Sequence, residues 1–159
     1  MERIITLTKG SGTGDTKIAA FDAALFEAGI ANYNLIRLSS IIPPGSRLEV
    51  GKYVTPPDEF GHRLYIVYAS EIQVEAGKEA WAGMGWSLAV NGTGEGLFTE
   101  HEGHSEQEVT NLINETLSNM VSYRPEEYGP VSHQTTGITC VGRPVCALVA
   151  AVYRSEGWE

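Results

Sequence analysis

Two adjacent serines, Ser39 and Ser40, close an apolar run and are followed by Ile41-Ile42-Pro43-Pro44-Gly45. One reading is a strand that ends in a polar turn, because the two prolines lack the N–H donors that further pairing needs. Chemistry permits another. A serine hydroxyl can attack the carbonyl of the residue before it when the backbone is held strained, which turns the peptide bond into an ester. Elimination then splits the chain and leaves a dehydroalanine, which takes up water, loses ammonia and becomes a pyruvoyl group. Such a step needs a strained scaffold and a donor for the oxyanion. Asn34, a short polar residue on the same run, is a candidate for that donor.

Other chemistries fare less well. Glu100-His101-Glu102-Gly103-His104 sets two histidines three apart beside two carboxylates. The zinc-protease pattern puts its histidines four apart on a helix. Here the segment leads from a strand into a capped helix, so it is expected to be a solvated loop, and no metal site is expected. No G-x-S-x-G elbow exists, since Gly85-Trp86-Ser87-Leu88-Ala89 lacks the closing glycine. Pyridoxal phosphate needs a lysine, and none of Lys9, Lys17, Lys52 and Lys78 has a recognisable context. The segment Lys9-Gly-Ser-Gly-Thr-Gly-Asp-Thr-Lys17 lacks both the Gly-Lys-Ser/Thr ending of a P-loop and the third glycine of a dinucleotide fingerprint. It is expected to be a flexible loop.

The elements that must position these residues follow from pattern. Arg3–Thr8 reads as a strand. Thr16 or Asp15 caps a helix over about Lys17–Ala28, with Ile18, Phe21, Leu25 and Ala28 on one face and Gly29 as its stop. Strands are expected near 33–39, 47–54 and 63–74. Met84, Trp86, Leu88 and Val90 share one side of the next strand, which forms a hairpin with 97–100 across Asn91-Gly-Thr-Gly-Glu-Gly96. Ser105-Glu-Gln-Glu108 is a capping box that opens a helix over 106–123. Two strands follow, near 135–141 and 145–154, and the strongly apolar Val145–Tyr153 is expected to be central in its sheet. Two helices and six to eight strands without a repeated βαβ unit give an α+β layered domain.

Composition bounds the rest. A chain of 159 residues with 42% hydrophobic and 19% charged residues can bury a core as one domain. The net charge of −9 argues against nucleic acid and anionic lipid as partners. No stretch reaches the roughly 18 apolar residues of a membrane helix, and no export signal is evident. Cys140 and Cys146 are too few for a disulfide scaffold and read as small buried residues of a cytoplasmic protein.

Three stretches carry a family resemblance: Ala20-Phe-Asp-Ala-Ala-Leu-Phe-Glu-Ala-Gly-Ile30, Asn32-Tyr-Asn-Leu-Ile-Arg-Leu-Ser-Ser-Ile-Ile-Pro-Pro-Gly45 and Gly96-Leu-Phe-Thr-Glu-His-Glu-Gly103. In these, and in length and element order, the chain resembles the pyruvoyl-dependent arginine decarboxylases. The Asn-x-x-x-x-Ser-Ser-Ile-x-Pro-Pro block is the specific part.

The resemblance implies a four-layer αββα sandwich with mostly antiparallel sheets and two main helices, assembled as a homotrimer or a dimer of trimers with sites between subunits. It implies that residues 1–159 form a single domain that cleaves itself between Ser39 and Ser40 into a small chain, 1–39, and a large chain, 40–159. Ser40 would become a covalent pyruvoyl group. That group would form a Schiff base with L-arginine and release carbon dioxide and agmatine. Glu100 would reprotonate the α-carbon, Asn34 would support the cleavage geometry, and Asp22 would hold the guanidinium. Glu95 and Glu102 stand near enough in sequence to be alternative proton donors. A decarboxylase of another amino acid, and a trimeric homologue that binds a small cationic metabolite without turnover, are the competing expectations.

Overall fold

A computed structural model describes residues 2–159. Eleven elements follow one another: β1 (Arg3–Thr13), α1 (Lys17–Ala28), β2 (Asn34–Arg37), β3 (Ile41–Ile42), β4 (Ser46–Val50), β5 (Arg63–Gln73), β6 (Glu79–Leu88), β7 (Gly96–Gly103), α2 (Glu106–Ser122), β8 (Ser132–Thr139) and β9 (Val145–Glu156). One sheet has the order β2-β5-β9-β1-β4, and the other β3-β7-β6-β8. The pairs β1–β4 and β2–β5 are parallel, and the remaining pairs are antiparallel.

Strand β9 shows why these sheets stack as they do. Its residues Val145–Tyr153 are all buried. Alternation sends Cys146, Leu148, Ala150 and Val152 toward α1, and Val145, Ala147, Val149, Ala151 and Tyr153 toward the second sheet. A strand apolar on both faces has to be covered on both, so β9 is the middle strand of its sheet. Helix α2 covers the outer face of the second sheet through Val109, Ile113 and Leu117. The layers therefore run α1, five-stranded sheet, four-stranded sheet, α2, which is the αββα sandwich that the resemblance implies.

Both helices rest on glycines, and this corrects the expected loop at 9–17. Strand β1 continues through Gly10 and Gly12 to Thr13. A methyl group at Gly12 would lie 2.5 Å from the Ala23 Cβ and 2.6 Å from the Ala24 nitrogen. The missing side chains let α1 lie almost backbone to backbone on β1. The same contact rotates the helix face. Ala20, Ala24, Leu25 and Ala28 are buried, whereas Ile18, expected on the apolar face, is 81% exposed. On the other side, Gly83 and Gly85 of β6 receive Val109 and Ile113 of α2. Periodicity marks large apolar residues and passes over a face built of alanines.

The caps are as expected. Thr16 Oγ1 accepts from Ala19 N, and Gly29 ends α1 at φ +86°. Ser105 Oγ accepts from Glu108 N, while the Glu108 carboxylate turns back to the His104 amide. Strand β7 runs to Gly103, so the segment Glu100–Gly103 is paired with β6 and is not a loop. Both cysteines are buried free thiols.

Gly12→Ala tests the close contact. A Cβ that meets helix backbone cannot be relieved by a rotamer change, and such overpacking costs about 1–3 kcal/mol. Thermal unfolding should fall by about 2–4 °C for each kcal/mol lost. An unchanged melting temperature would contradict this account of how α1 docks.

Candidate active site

Strand β2 lies at one edge of the first sheet and β3 at one edge of the second, so the chain changes sheets between Arg37 and Ile41. The crossing is pinned at both ends. Leu38 N donates to Ile66 O at 2.9 Å on the first sheet. On the second, the Ser40 carbonyl accepts from Phe98 N at 2.9 Å, and Ile41 and Ile42 pair with Leu97 and Gly96. Between the pins stands Ser40 at φ +70°, the one non-glycine residue with positive φ among the described residues. For a residue with a Cβ this left-handed conformation costs roughly 1–2 kcal/mol. Such a cost is sustained only where the surroundings over-determine the backbone.

The Ser40 hydroxyl points at a carboxylate. Its Oγ lies 2.8 Å from Glu100 Oε1 and 2.7 Å from Oε2. Alternation along β7 explains the meeting. Phe98 enters the core between the sheets and Leu97 the core under α2, so Glu100, two residues beyond Phe98, lies on the inter-sheet side. Burial raises the Glu100 pKa above the ordinary carboxylate value. The Ser40 hydrogen bond and the Arg37 charge oppose that rise, and Glu102 adds to it. The carboxyl can therefore hold or release a proton at the Ser40 hydroxyl.

The neighbouring candidates separate. Glu95 sits in the β6–β7 turn, bonded to Asn91 and Thr93, which hold its pKa below the ordinary value. Glu102 is exposed, with its pKa raised by burial of its carboxyl and by Glu71. His101 projects to the opposite side of β7 from Glu100, where its Nε2 lies 2.8 Å from Thr99 Oγ1. Strand alternation thus splits the Glu-His-Glu-Gly-His segment. Among the described residues no group of three His, Cys, Asp or Glu side chains is arranged to hold a metal ion.

Asn34 and Asp22 are placed elsewhere within the chain. Asn34 opens β2, and its Nδ2 donates to Gly61 O at 2.9 Å. Asp22 is exposed on α1, which covers the outer face of the first sheet. The contacts of Ser40 are with Glu100 and Phe98, and neither Asn34 nor Asp22 joins them. Sequence reasoning missed Arg37, whose guanidinium lies 4.3 Å from the centre of the Tyr68 ring and donates to the Tyr68 carbonyl. Its charge restrains the pKa of both Glu100 and Glu102. A lone cation two residues before the serine pair was the available signal.

Comparison with known proteins bears on this geometry. A family model described as pyruvoyl-dependent arginine decarboxylase matches residues 4–157. The chain belongs to the pyruvoyl-dependent arginine decarboxylase family. Among its relatives, the pyruvoyl-dependent arginine decarboxylase of Thermococcus sibiricus is 31% identical over 92% of this chain and 91% of its own. That of Halobacterium salinarum is 33% identical over 94% and 92%. Pyruvoyl-dependent arginine decarboxylase 2 of Archaeoglobus fulgidus is 30% identical over 94% of each chain. The cofactor of the family is a covalent pyruvoyl group. The residues present fit it, because a serine in left-handed backbone, hydrogen-bonded to a buried carboxyl whose pKa is raised, is suited to becoming one.

Glu100 also links stability to pH. A carboxyl whose pKa is raised in the folded state binds its proton more tightly there than in the unfolded chain. Its contribution is fully present below the unfolded value, near 4.5, and is lost as pH rises through the folded value. The Ser40→Ala chain with and without Glu100→Gln isolates this effect. The difference in melting temperature should move in favour of the glutamine chain as pH rises above about 4.5. A difference independent of pH would contradict a raised Glu100 pKa.

Proposed function

We propose that this chain cleaves itself between Ser39 and Ser40 and then decarboxylates L-arginine to agmatine and carbon dioxide, residues 1–159 serving as one catalytic domain. The observation that carries the reading is Ser40, held at positive φ with its hydroxyl on Glu100. In the cleavage, Glu100 orients the Ser40 hydroxyl by hydrogen bond, Oγ bonds to the Ser39 carbonyl carbon, and the Oγ proton is passed on to the departing Ser40 nitrogen. The Ser39–Ser40 C–N bond breaks as the nitrogen takes up that proton. Elimination leaves the Ser39 carboxylate on the small chain, and hydrolysis releases ammonia from position 40. The small chain stays in place because it supplies β1, which lies between β9 and β4.

Once formed, the pyruvoyl ketone supplies the electron sink that lets the bond to the substrate carboxylate break. Glu100 then delivers its proton to the α-carbon. Loss of the Ser40 hydroxyl favours this, since that hydrogen bond was holding the Glu100 pKa down. Turnover should therefore fall as pH rises through the Glu100 pKa. Asp22 holds the guanidinium, whose planar fork matches a carboxylate. Because Asp22 and Asn34 do not reach Ser40 in their own chain, we place them at the site of a neighbouring subunit in a homotrimer or a dimer of trimers. We place the protein in the cytoplasm, in keeping with two free thiols. Among the described residues no helix is long and apolar enough to cross a membrane.

Release of carbon dioxide from L-arginine, L-histidine and L-aspartate tests the reading. Arginine should be turned over and the other two should not. Ser40→Ala should remain one chain and be inactive. Glu100→Gln keeps an acceptor oxygen for Ser40 but no transferable proton, so it should still cleave and lose about 10²–10⁴-fold in turnover. Asp22→Asn should raise KM for arginine while cleavage proceeds. Glu100→Gln with normal turnover would refute the acid assignment, and preference for histidine or aspartate would refute the substrate.

A further inference from the structure

We infer that Tyr153 is a positioning residue for the self-cleavage: its hydroxyl fixes the Ile41 carbonyl and thereby holds Ser40 where Oγ reaches the Ser39 carbonyl carbon. The inference rests on the reading of Ser39–Ser40 as the cleavage site and adds a residue that neither sequence pattern nor family name assigns.

Tyr153 Oη donates to Ile41 O at 2.8 Å, across 112 residues of sequence. Strand geometry makes this bond necessary. Successive carbonyls of an extended chain point to opposite sides. The Ser40 carbonyl points to β7, where Phe98 N binds it. The Ile41 carbonyl therefore points away from β7, and β3 is an edge strand with no further neighbour in its sheet. Tyr153 reaches across from β9, in the other sheet, to supply the missing donor.

The two pins are coupled. The Tyr153 ring meets the Phe98 ring edge-on, with centroids 6.1 Å apart and planes at 69°. Successive carbonyls after the scissile bond are thus held from two sheets, while Leu38 N is held before it. Burial and the nearby Glu100 charge push the Tyr153 pKa up, so the hydroxyl keeps its proton and remains a donor.

The surroundings leave the Ile41 peptide room to move without that bond. A cavity of about 300 Å³ opens beside it, lined by Leu38, Pro43, Tyr65 and Tyr153 among others. With the hydroxyl removed, the Ile41 peptide can turn toward this space. Ser40 is then free to relax to negative φ, and Oγ swings off the Ser39 carbonyl. The step affected is the first one, in which the Oγ–C bond forms and the Ser39–Ser40 C–N bond breaks.

The test follows conversion of freshly translated chain into two fragments by intact mass. Tyr153→Phe removes the hydroxyl and keeps the ring. Its cleavage should be roughly five- to tenfold slower than wild type, the scale of one hydrogen bond. Tyr65→Phe is the control. It loses a tyrosine hydroxyl bond to Glu156 at the same cavity but no pin on the segment, so it should cleave at the wild-type rate. Hydroxylamine, which cuts the ester but not the amide, separates the steps. Tyr153→Phe should remain slow in its presence, and melting of the Ser40→Ala chain should be little changed by adding Tyr153→Phe.

Wild-type cleavage rates in Tyr153→Phe, or full rescue by hydroxylamine, would overturn the proposal. So would slowing matched by an equal loss of stability. If Tyr153→Phe fails to fold, fluorotyrosine placed at 153, which changes the donor strength and hardly the shape, should alter the rate. An unaltered rate there would also overturn it. A wild-type chain that never cleaves would instead refute the cleavage reading itself.

Discussion

The backbone at Ser40 depends on how far apart the two sheets lie. Packed sheets stand about 10 Å apart, and three residues reach at most about 10 Å when extended. Leu38, Ser39 and Ser40 make the whole crossing from the edge of one sheet to the edge of the other. That leaves little slack, and both ends are hydrogen-bonded to strands that cannot move independently. The turn needed to enter β3 is then made at a single residue, and that residue is Ser40 at φ +70°. A segment with more residues would spread the turn over several torsions and relieve the strain at Ser40.

Everything that fixes the sheets contributes to that constraint. The glycines of β1 and β6 bring the two helices close on either outer side, and β9 is packed on both faces. The inter-sheet core carries Phe98 and Tyr153, and the same two residues hold the Ser40 and Ile41 carbonyls. The core that stabilises the sandwich therefore also fixes the backbone that follows Ser39. Glu100 shares that interior, which is why its proton is retained more tightly than that of a surface carboxylate.

Much of this was legible in the sequence, for physical reasons that differ by element. The capping residues Thr16, Gly29 and Ser105 act locally, so their roles were readable without tertiary context. Strand β9 announced its central place because nine successive buried positions leave no face for water. The Gly10–Gly14 stretch was misread as a flexible loop because its meaning lies in α1, a partner that local pattern does not reveal. Exposed Ile18 was misread for the same reason. The serine pair was visible as chemistry, but Glu100 came only through resemblance, since 60 residues separate it from Ser40. Arg37 left only the signal of a lone charge beside the serine pair, and Tyr153 was invisible, because a hydroxyl on a distant carbonyl leaves no spacing signature.

The central claim is that the strained Ser39–Ser40 junction is a cleavage site that makes the pyruvoyl group. Denaturing intact-mass spectrometry of the purified wild-type protein tests it most directly. The account predicts two chains that divide after Ser39, the larger of them lighter by one ammonia than simple hydrolysis would leave it. A single uncleaved chain, or a large chain that keeps its amino-terminal serine, would contradict it.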